Sequence, residues 1–175
     1  MTAQMELDSF IAKYSPEVAG VARQAFRWMR RKFPAAFVLV YDNYNALAIG
    51  FAPTERTSEA VFSIALFPRW TNLFFLQGAG LPDPHKLLQG SGKQARSIRL
   101  DRVELLDKPE VLALIDAEAI RSGLVGPGLE AGGGEIMIKS ISAKQRPRRP
   151  ANKAAAKKTP ARNASGKNTK AAHSI

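Results

Sequence analysis

The sequence predicts an α+β domain in which helices from both ends of the chain cover one face of an antiparallel meander sheet of about five strands. Three observations predict it: a helical pattern over residues 15–33, four short apolar runs between residues 37 and 77, and another helical pattern over residues 107–123. With 175 residues, the chain is long enough for one hydrophobic core and an appendage.

The N-terminal helices are predicted from capping residues and apolar spacing. Residues 7–14 indicate a short first helix with Asp8 as its N-cap. A longer helix follows, with Ser15 at the N-cap and Pro16 at the first helical position, and Pro34 ends it. Its apolar residues gather on one face, and four arginines, Arg23, Arg27, Arg30 and Arg31, lie on the opposite face.

The strands are short β-branched and aromatic runs separated by turn residues. "FVLVY", "ALAIGF", "VFSIALF" and "NLFFLQ" predict four antiparallel strands, and "SIRL" at 97–100 predicts a fifth. Alternation predicts that two sets of residues face the helices: Leu47, Ile49 and Phe51, and Phe62, Ile64 and Leu66.

The domain 1–123 is predicted to close with a helix over residues 107–123. Asp107 is its expected N-cap and Gly123 its C′ residue, and its apolar stripe is Val111, Leu114, Ile115 and Ala119. Residues 124–142 are predicted to be a glycine-rich connector with a possible extra strand.

The positive charge lies almost entirely in residues 143–175. The net charge of the chain is +11, but residues 143–175 hold ten lysines and arginines and no acid, which leaves +1 for residues 1–142. That tail is rich in Ala, Lys, Arg, Pro, Ser and Asn and has too few apolar residues to offset its ordering entropy. We therefore expect residues 143–175 to be disordered.

Composition also narrows the function classes. The chain has no cysteine, which excludes disulfides, thiolate nucleophiles and zinc–thiolate sites. The N-terminus has no apolar signal region, and the longest apolar runs are too short to cross a bilayer, so we expect a cytoplasmic protein without a membrane partner. With two histidines and no nucleophile motif, we expect neither an enzyme nor a metal or cofactor site.

Residues 90–93, Gly-Ser-Gly-Lys, invite a phosphate-binding interpretation. A Walker A loop needs a glycine five residues before Gly92 and a Ser or Thr after Lys93, and this chain has Leu87 and Gln94 there. The simpler interpretation is a glycine turn before a strand. The alternative is an anion or small-ligand site in which Lys93, Arg96 and Arg99 meet a second turn that carries Tyr41, Asp42 and Asn45.

Three ordered stretches, "VYDNYNALAIGF", "FSIALFPRWTNLFFLQGAGLPDPHKLLQGSGKQARSIRL" and "DKPEVLALI", resemble the YdhG-like family, a bacterial domain family of unknown function. The resemblance covers about residues 7–149, because "IKSISAKQRPRR" resembles an extension in one subgroup. It implies a small α+β domain, distantly frataxin-like. One relative is described as an iron chaperone, but the arginine face of the long helix here departs from the acidic surface that such iron binding needs.

The tail suggests a partner. Its composition is similar to that of linker-histone-like tails, which neutralise phosphates without reading sequence. We expect non-specific association with DNA or RNA through Arg146, Arg148, Arg149, Lys153, Lys157 and Lys158, extended by Arg27, Arg30 and Arg31 if that helix face is exposed. The alternatives are a solubilising extension, and a small-ligand or metal-handling domain with its site near the 42–45 and 90–96 turns.

Overall fold

The computed structural model describes residues 1–126, 129 and 133–151. The helices are α1 (Ala3–Ile11), α2 (Pro16–Lys32) and α3 (Pro109–Arg121). The strands are β1 (Phe37–Asp42), β2 (Leu47–Ala52), β3 (Phe62–Leu66), β4 (Thr71–Phe75), β5 (Arg96–Leu100) and β6 (Ile136–Ile141). Short 3₁₀ turns lie at Thr57–Glu59, Gly78–Gly80 and Val103–Asp107.

The six strands form one sheet in the order β5-β4-β3-β2-β1-β6. The first five strands pair in an antiparallel meander, as the sequence predicted. The sixth strand pairs with β1 in parallel, with a register shift between Val40 and Tyr41. The possible late strand is therefore a full strand, and the predicted sheet of about five strands has six.

The core lies between the helices and one face of the sheet. The alternating residues predicted to face the helices, on β2 and β3, are all fully buried there. Phe62 is central: its ring stacks on Phe33 at 5.5 Å between centroids and meets the edge of Phe75 at 5.4 Å. The predicted apolar stripe of α3, from Val111 to Ala119, also packs into this core.

Two of the predicted helix caps are wrong. The first helix begins at Ala3 rather than near residue 7, because the hydroxyl of Thr2 accepts a hydrogen bond from the Met5 N–H, and Asp8 lies inside the helix. Asp107 does not cap α3, because its carboxylate accepts a hydrogen bond of 2.9 Å from the Trp28 indole. Ser15 does cap α2, where it accepts a hydrogen bond from the Val18 N–H.

Residues 142–150, which we call the C-terminal segment, pack on the body of the domain. This corrects the prediction that the chain is disordered from residue 143, because Arg148 is buried and the segment donates backbone hydrogen bonds to the β1–β2 turn. The rest of the predicted tail, residues 152–175, lies outside the described residues; we call it the basic tail. No helix in the described part of the chain is long and apolar enough to cross a membrane.

Candidate nucleic-acid interface

A buried carboxylate anchors the C-terminal segment. Asp42, the last residue of β1, is fully buried and accepts hydrogen bonds from two cations. Lys13 Nζ lies 2.6 Å from one carboxylate oxygen, and Arg148 Nη2 lies 2.8 Å from the other. Because breaking a buried pair leaves an uncompensated charge, these contacts hold residue 148 against the body.

Further hydrogen bonds fix the backbone of the C-terminal segment. The Ser142 N–H donates to the Asp42 carbonyl, and the Arg146 N–H donates to the Tyr44 carbonyl, both at 2.9 Å. Arg149 donates to the carbonyls of Ala12 and Lys13, just beyond the C-terminal end of α1. A cation there complements the negative end of the helix dipole. The segment therefore joins the first helix to the β1–β2 turn.

Tyr14 lies beneath this anchor and has a perturbed ionisation. Its hydroxyl accepts a hydrogen bond of 2.9 Å from the Leu47 N–H, and the Arg148 guanidinium lies 5.6 Å from the ring centroid. Burial raises the pKa of Tyr14 from 10.0 to about 12, although Arg148 opposes the rise. The fold therefore favours the neutral phenol.

We expect the stabilising contribution of the neutral Tyr14 phenol to be lost as the pH rises from about 10 to about 12. Because the folded-state pKa is the higher one, the stabilisation is complete below pH 10 and is lost as the pH rises towards 12. A pKa difference of two units between the folded and unfolded states corresponds to a loss of about 3 kcal/mol in the free energy of unfolding. The measurement is the free energy of unfolding of wild type and Tyr14→Phe against pH. The difference between the two proteins should change across this window, and a constant difference would contradict the assignment.

An aromatic–arginine surface lies beside the C-terminal segment. It consists of Tyr44, Phe67, Trp70, Arg99 and Arg146. Trp70 is 37% exposed and Tyr44 is 48% exposed. Phe67 stacks on Trp70 at 5.4 Å, the Arg99 guanidinium lies 5.5 Å from the Trp70 ring centroid, and that of Arg146 lies 5.6 Å from the Tyr44 ring centroid. Exposed rings paired with guanidinium groups are typical of surfaces that bind single-stranded nucleic acid.

A cleft of about 630 Å³ opens within this surface. Its walls come from the β3–β4 turn and from the C-terminal segment: Phe67, Pro68 and Trp70 face Arg146 and Pro147, and Asn45 completes the lining. A neighbouring cleft joins Pro68 and Arg69 to Pro150, one residue before the described chain ends. The described chain therefore ends near the edge of the aromatic–arginine surface.

The predicted ligand site between the 42–45 and 90–96 turns does not form. Asp42 pairs across the sheet with Leu47, in the row that continues to Leu66, Thr71 and Leu100, whereas Arg96 pairs with Phe75 at the opposite end. The turns also flank β1 and β5, which are separated by three strands. At ~4.8 Å between strands and ~3.3 Å per residue, the two turns lie roughly 20 Å apart.

The residues predicted for that site have other contacts. The Tyr41 hydroxyl hydrogen-bonds Thr57, and Arg96 donates to the carbonyls of Gly92 and Ala95 within its own loop. Arg99 pairs with Asp101. Lys93, Arg96 and Arg99 do not form one basic set: Arg96 and Arg99 are three apart on β5 and so point to opposite faces, and Lys93 lies in the loop before that strand. Asn45 is exposed in its turn.

Lys93 instead lines a third cleft, of about 600 Å³, at the opposite end of the sheet from the 42–45 turn. Arg121 and Glu59 also line it. The buried carboxylate of Glu118 fixes Arg121 through a contact of 2.5 Å and accepts a hydrogen bond of 2.7 Å from Ser122. Arg121 is thus paired with Glu118, and Glu59 is paired with Arg56 at 3.6 Å, so the two charged residues that line the cleft with Lys93 are already held in ion pairs.

The other predicted nucleic-acid residues fall into four groups. Arg27, Arg31, Arg146 and Arg149 are exposed, whereas Arg30 donates a hydrogen bond to the Gly134 carbonyl. Arg148 is buried against Asp42, which removes it from the expected contact set. Lys153, Lys157 and Lys158 lie outside the described residues.

Among the described residues, no group of three or more His, Asp and Glu side chains is placed to hold a metal ion. Comparisons with known proteins add no assignment to this geometry. No protein-family model matches the chain, and neither the curated proteins nor the solved structures contain a significant match.

Proposed function

We propose that this protein associates with nucleic acid without reading its sequence, through the basic tail and the exposed cations of the C-terminal segment. The observation that carries the proposal is the charge distribution: no aspartate or glutamate follows Glu135, and the basic tail alone has six lysines and arginines. Lysine and arginine bind phosphates by releasing counterions, which depends little on base identity.

The placement of the C-terminal segment supports this proposal. The anchored C-terminal segment carries Lys144, Arg146 and Arg149 on its exposed side. Arg146 also lines the cleft beside Trp70, so the exposed cations of this segment lie next to the aromatic–arginine surface.

The alternative is a small-ligand domain, whose site would be the cleft lined by Lys93 and Arg121. Arg121 and Glu59 of that cleft are already held in ion pairs, with Glu118 and Arg56, so its lining offers an anion little beyond Lys93. The residues after Glu135 instead carry many cations and no acid. This difference is why we favour nucleic acid. Membership of the YdhG-like family remains our proposal too, on the ordered motifs of residues 7–149, and it assigns no activity.

The test is fluorescence anisotropy with two labelled duplexes of unrelated sequence. The wild-type chain should bind both with affinities within about threefold of each other, because phosphate contacts carry no sequence information. The comparison variant replaces the six cations of the basic tail with glutamine: Lys153, Lys157, Lys158, Arg162, Lys167 and Lys170. It should bind both duplexes at least about 100-fold more weakly. Equal affinity of variant and wild type would contradict the proposal.

A further inference from the structure

We propose that the cleft between the β3–β4 turn and the C-terminal segment stacks a base of single-stranded nucleic acid on Trp70. This inference rests on the proposed function and deepens it, because it names the form of nucleic acid that the body prefers. Three features lie together at one end of the sheet: an exposed indole, an apolar cleft and several cations. Together they are suited to binding a base and its phosphates.

The cleft has the surfaces that a nucleobase needs. Phe67, Pro68, Trp70 and Pro147 give it apolar walls, and Asn45 contributes an amide that can donate to and accept from a base edge. The Phe67 ring stacks on Trp70 and fixes its plane. A rigid aromatic plane loses little conformational entropy when a base stacks on it.

Cations surround this cleft where a sugar–phosphate backbone would pass. Arg146 lines it, Arg69 is exposed in the adjacent turn, and Arg99 lies against the Trp70 ring. Glu17 and Asp101 lie nearby, and Asp101 is 3.2 Å from Arg99. The three arginines outnumber these two acids, so positive charge prevails around the cleft, which complements a polyanion.

A single strand fits this arrangement better than a duplex does. The bases of a duplex are stacked inside it, and exposing one costs the free energy of its stacking and pairing. The bases of a single strand are accessible, and stacking on an aromatic side chain is tolerant of base identity. The tail therefore binds both forms of nucleic acid, and Trp70 adds affinity for the single-stranded form.

The test compares oligothymidylate and oligouridylate, each of about 12 nucleotides, with a duplex of the same length. Trp70→Leu should weaken binding of both single strands by about 5- to 100-fold and change duplex affinity by less than about twofold. Trp70→Phe, which keeps an aromatic ring, should retain most of the single-strand affinity. Ile120→Ala alters a side chain that is 69% exposed on α3 and serves as a surface control.

Tryptophan fluorescence gives a second measurement that a merely structural role would not change. Trp70 is exposed, whereas Trp28 is 9% exposed and hydrogen-bonded to Asp107. Saturating oligothymidylate should quench the Trp70 emission in wild type, and the quenching should disappear in Trp70→Phe.

The outcomes separate the two proposals. If the wild-type chain binds neither single strands nor the duplex, the proposed function itself fails. If it binds them, but without quenching and with equal effects of Trp70→Leu on both forms, only the stacking inference is overturned. A preference for one of the two oligonucleotides identifies RNA or DNA as the better ligand of the same cleft.

Discussion

Replacing Arg148 with methionine is expected to lower the free energy of unfolding by about 3–5 kcal/mol. The Arg148 side chain is 5% exposed and its partner Asp42 is fully buried. Methionine preserves most of the side-chain volume but leaves one oxygen of the carboxylate without its partner. Lys13 still contacts the other oxygen, but its side chain is 39% exposed and compensates only part of the lost charge.

The matched control is Arg146→Met, two residues earlier on the same segment. Arg146 is exposed, and its guanidinium contacts the Tyr44 ring rather than a buried acid. Its replacement should change stability by no more than about 0.5 kcal/mol. Thermal unfolding measures both variants: at about 2–4 °C per kcal/mol for a domain of this size, Arg148→Met should lower Tm by roughly 6–20 °C.

A double variant distinguishes charge from packing. Asp42→Leu combined with Arg148→Met removes both buried charges, and the stability should recover towards the wild-type value because the desolvation penalty is removed with them. Equal Tm values for Arg148→Met and Arg146→Met would show that the ion pair does not hold the segment. A double variant no more stable than Arg148→Met would assign the loss to packing.

Much of the fold could be predicted because it depends on local patterns. The Ser15–Pro16 start of α2, its apolar face, the turn-separated runs of β1–β4 and the stripe of α3 each follow from residues close in sequence. The wrong caps have a physical cause of the same kind: Asp107 has the right type and position for an N-cap, but Trp28, 79 residues away, takes its carboxylate instead.

The candidate site was harder to predict because it depends on contacts distant in sequence. Arg148 and Asp42 are 106 residues apart, and composition alone placed that arginine in a disordered tail. Pairing β6 with β1 brings the C-terminal segment to the β1–β2 turn. The same sheet order separates the 42–45 turn from the 90–96 turn. Their polar and basic residues had suggested that the two turns share a ligand site.

Trp70 did have a sequence signal for exposure. It follows Pro68 and Arg69, so it belongs to a turn as much as to a strand, and turn residues lie at the surface. Phe75, five residues later in the strand, is fully buried in the core, as the alternation of β4 requires.

The affinity for duplex DNA is expected to fall steeply as salt is raised. Of the ten cations in residues 143–175, nine remain once Arg148 is assigned to Asp42. If each contacts one phosphate, the slope of log K against log salt is at most about −8, at −0.9 per contact. A slope near this bound corresponds to a loss of roughly 10⁵-fold between 50 and 200 mM salt.

Neutralising the basic tail should then change the slope by a predictable amount. Replacing its six lysines and arginines with glutamine leaves Lys144, Arg146 and Arg149, so the slope should flatten by about 5 and approach about −3. The matched control replaces the five tail lysines with arginine, which keeps every charge and should keep the slope. Anisotropy titrations across a salt series measure all three proteins. If the glutamine variant retains the wild-type slope, the phosphate contacts lie on the body, and the exposed Arg27 and Arg31 of α2 become the next cations to replace.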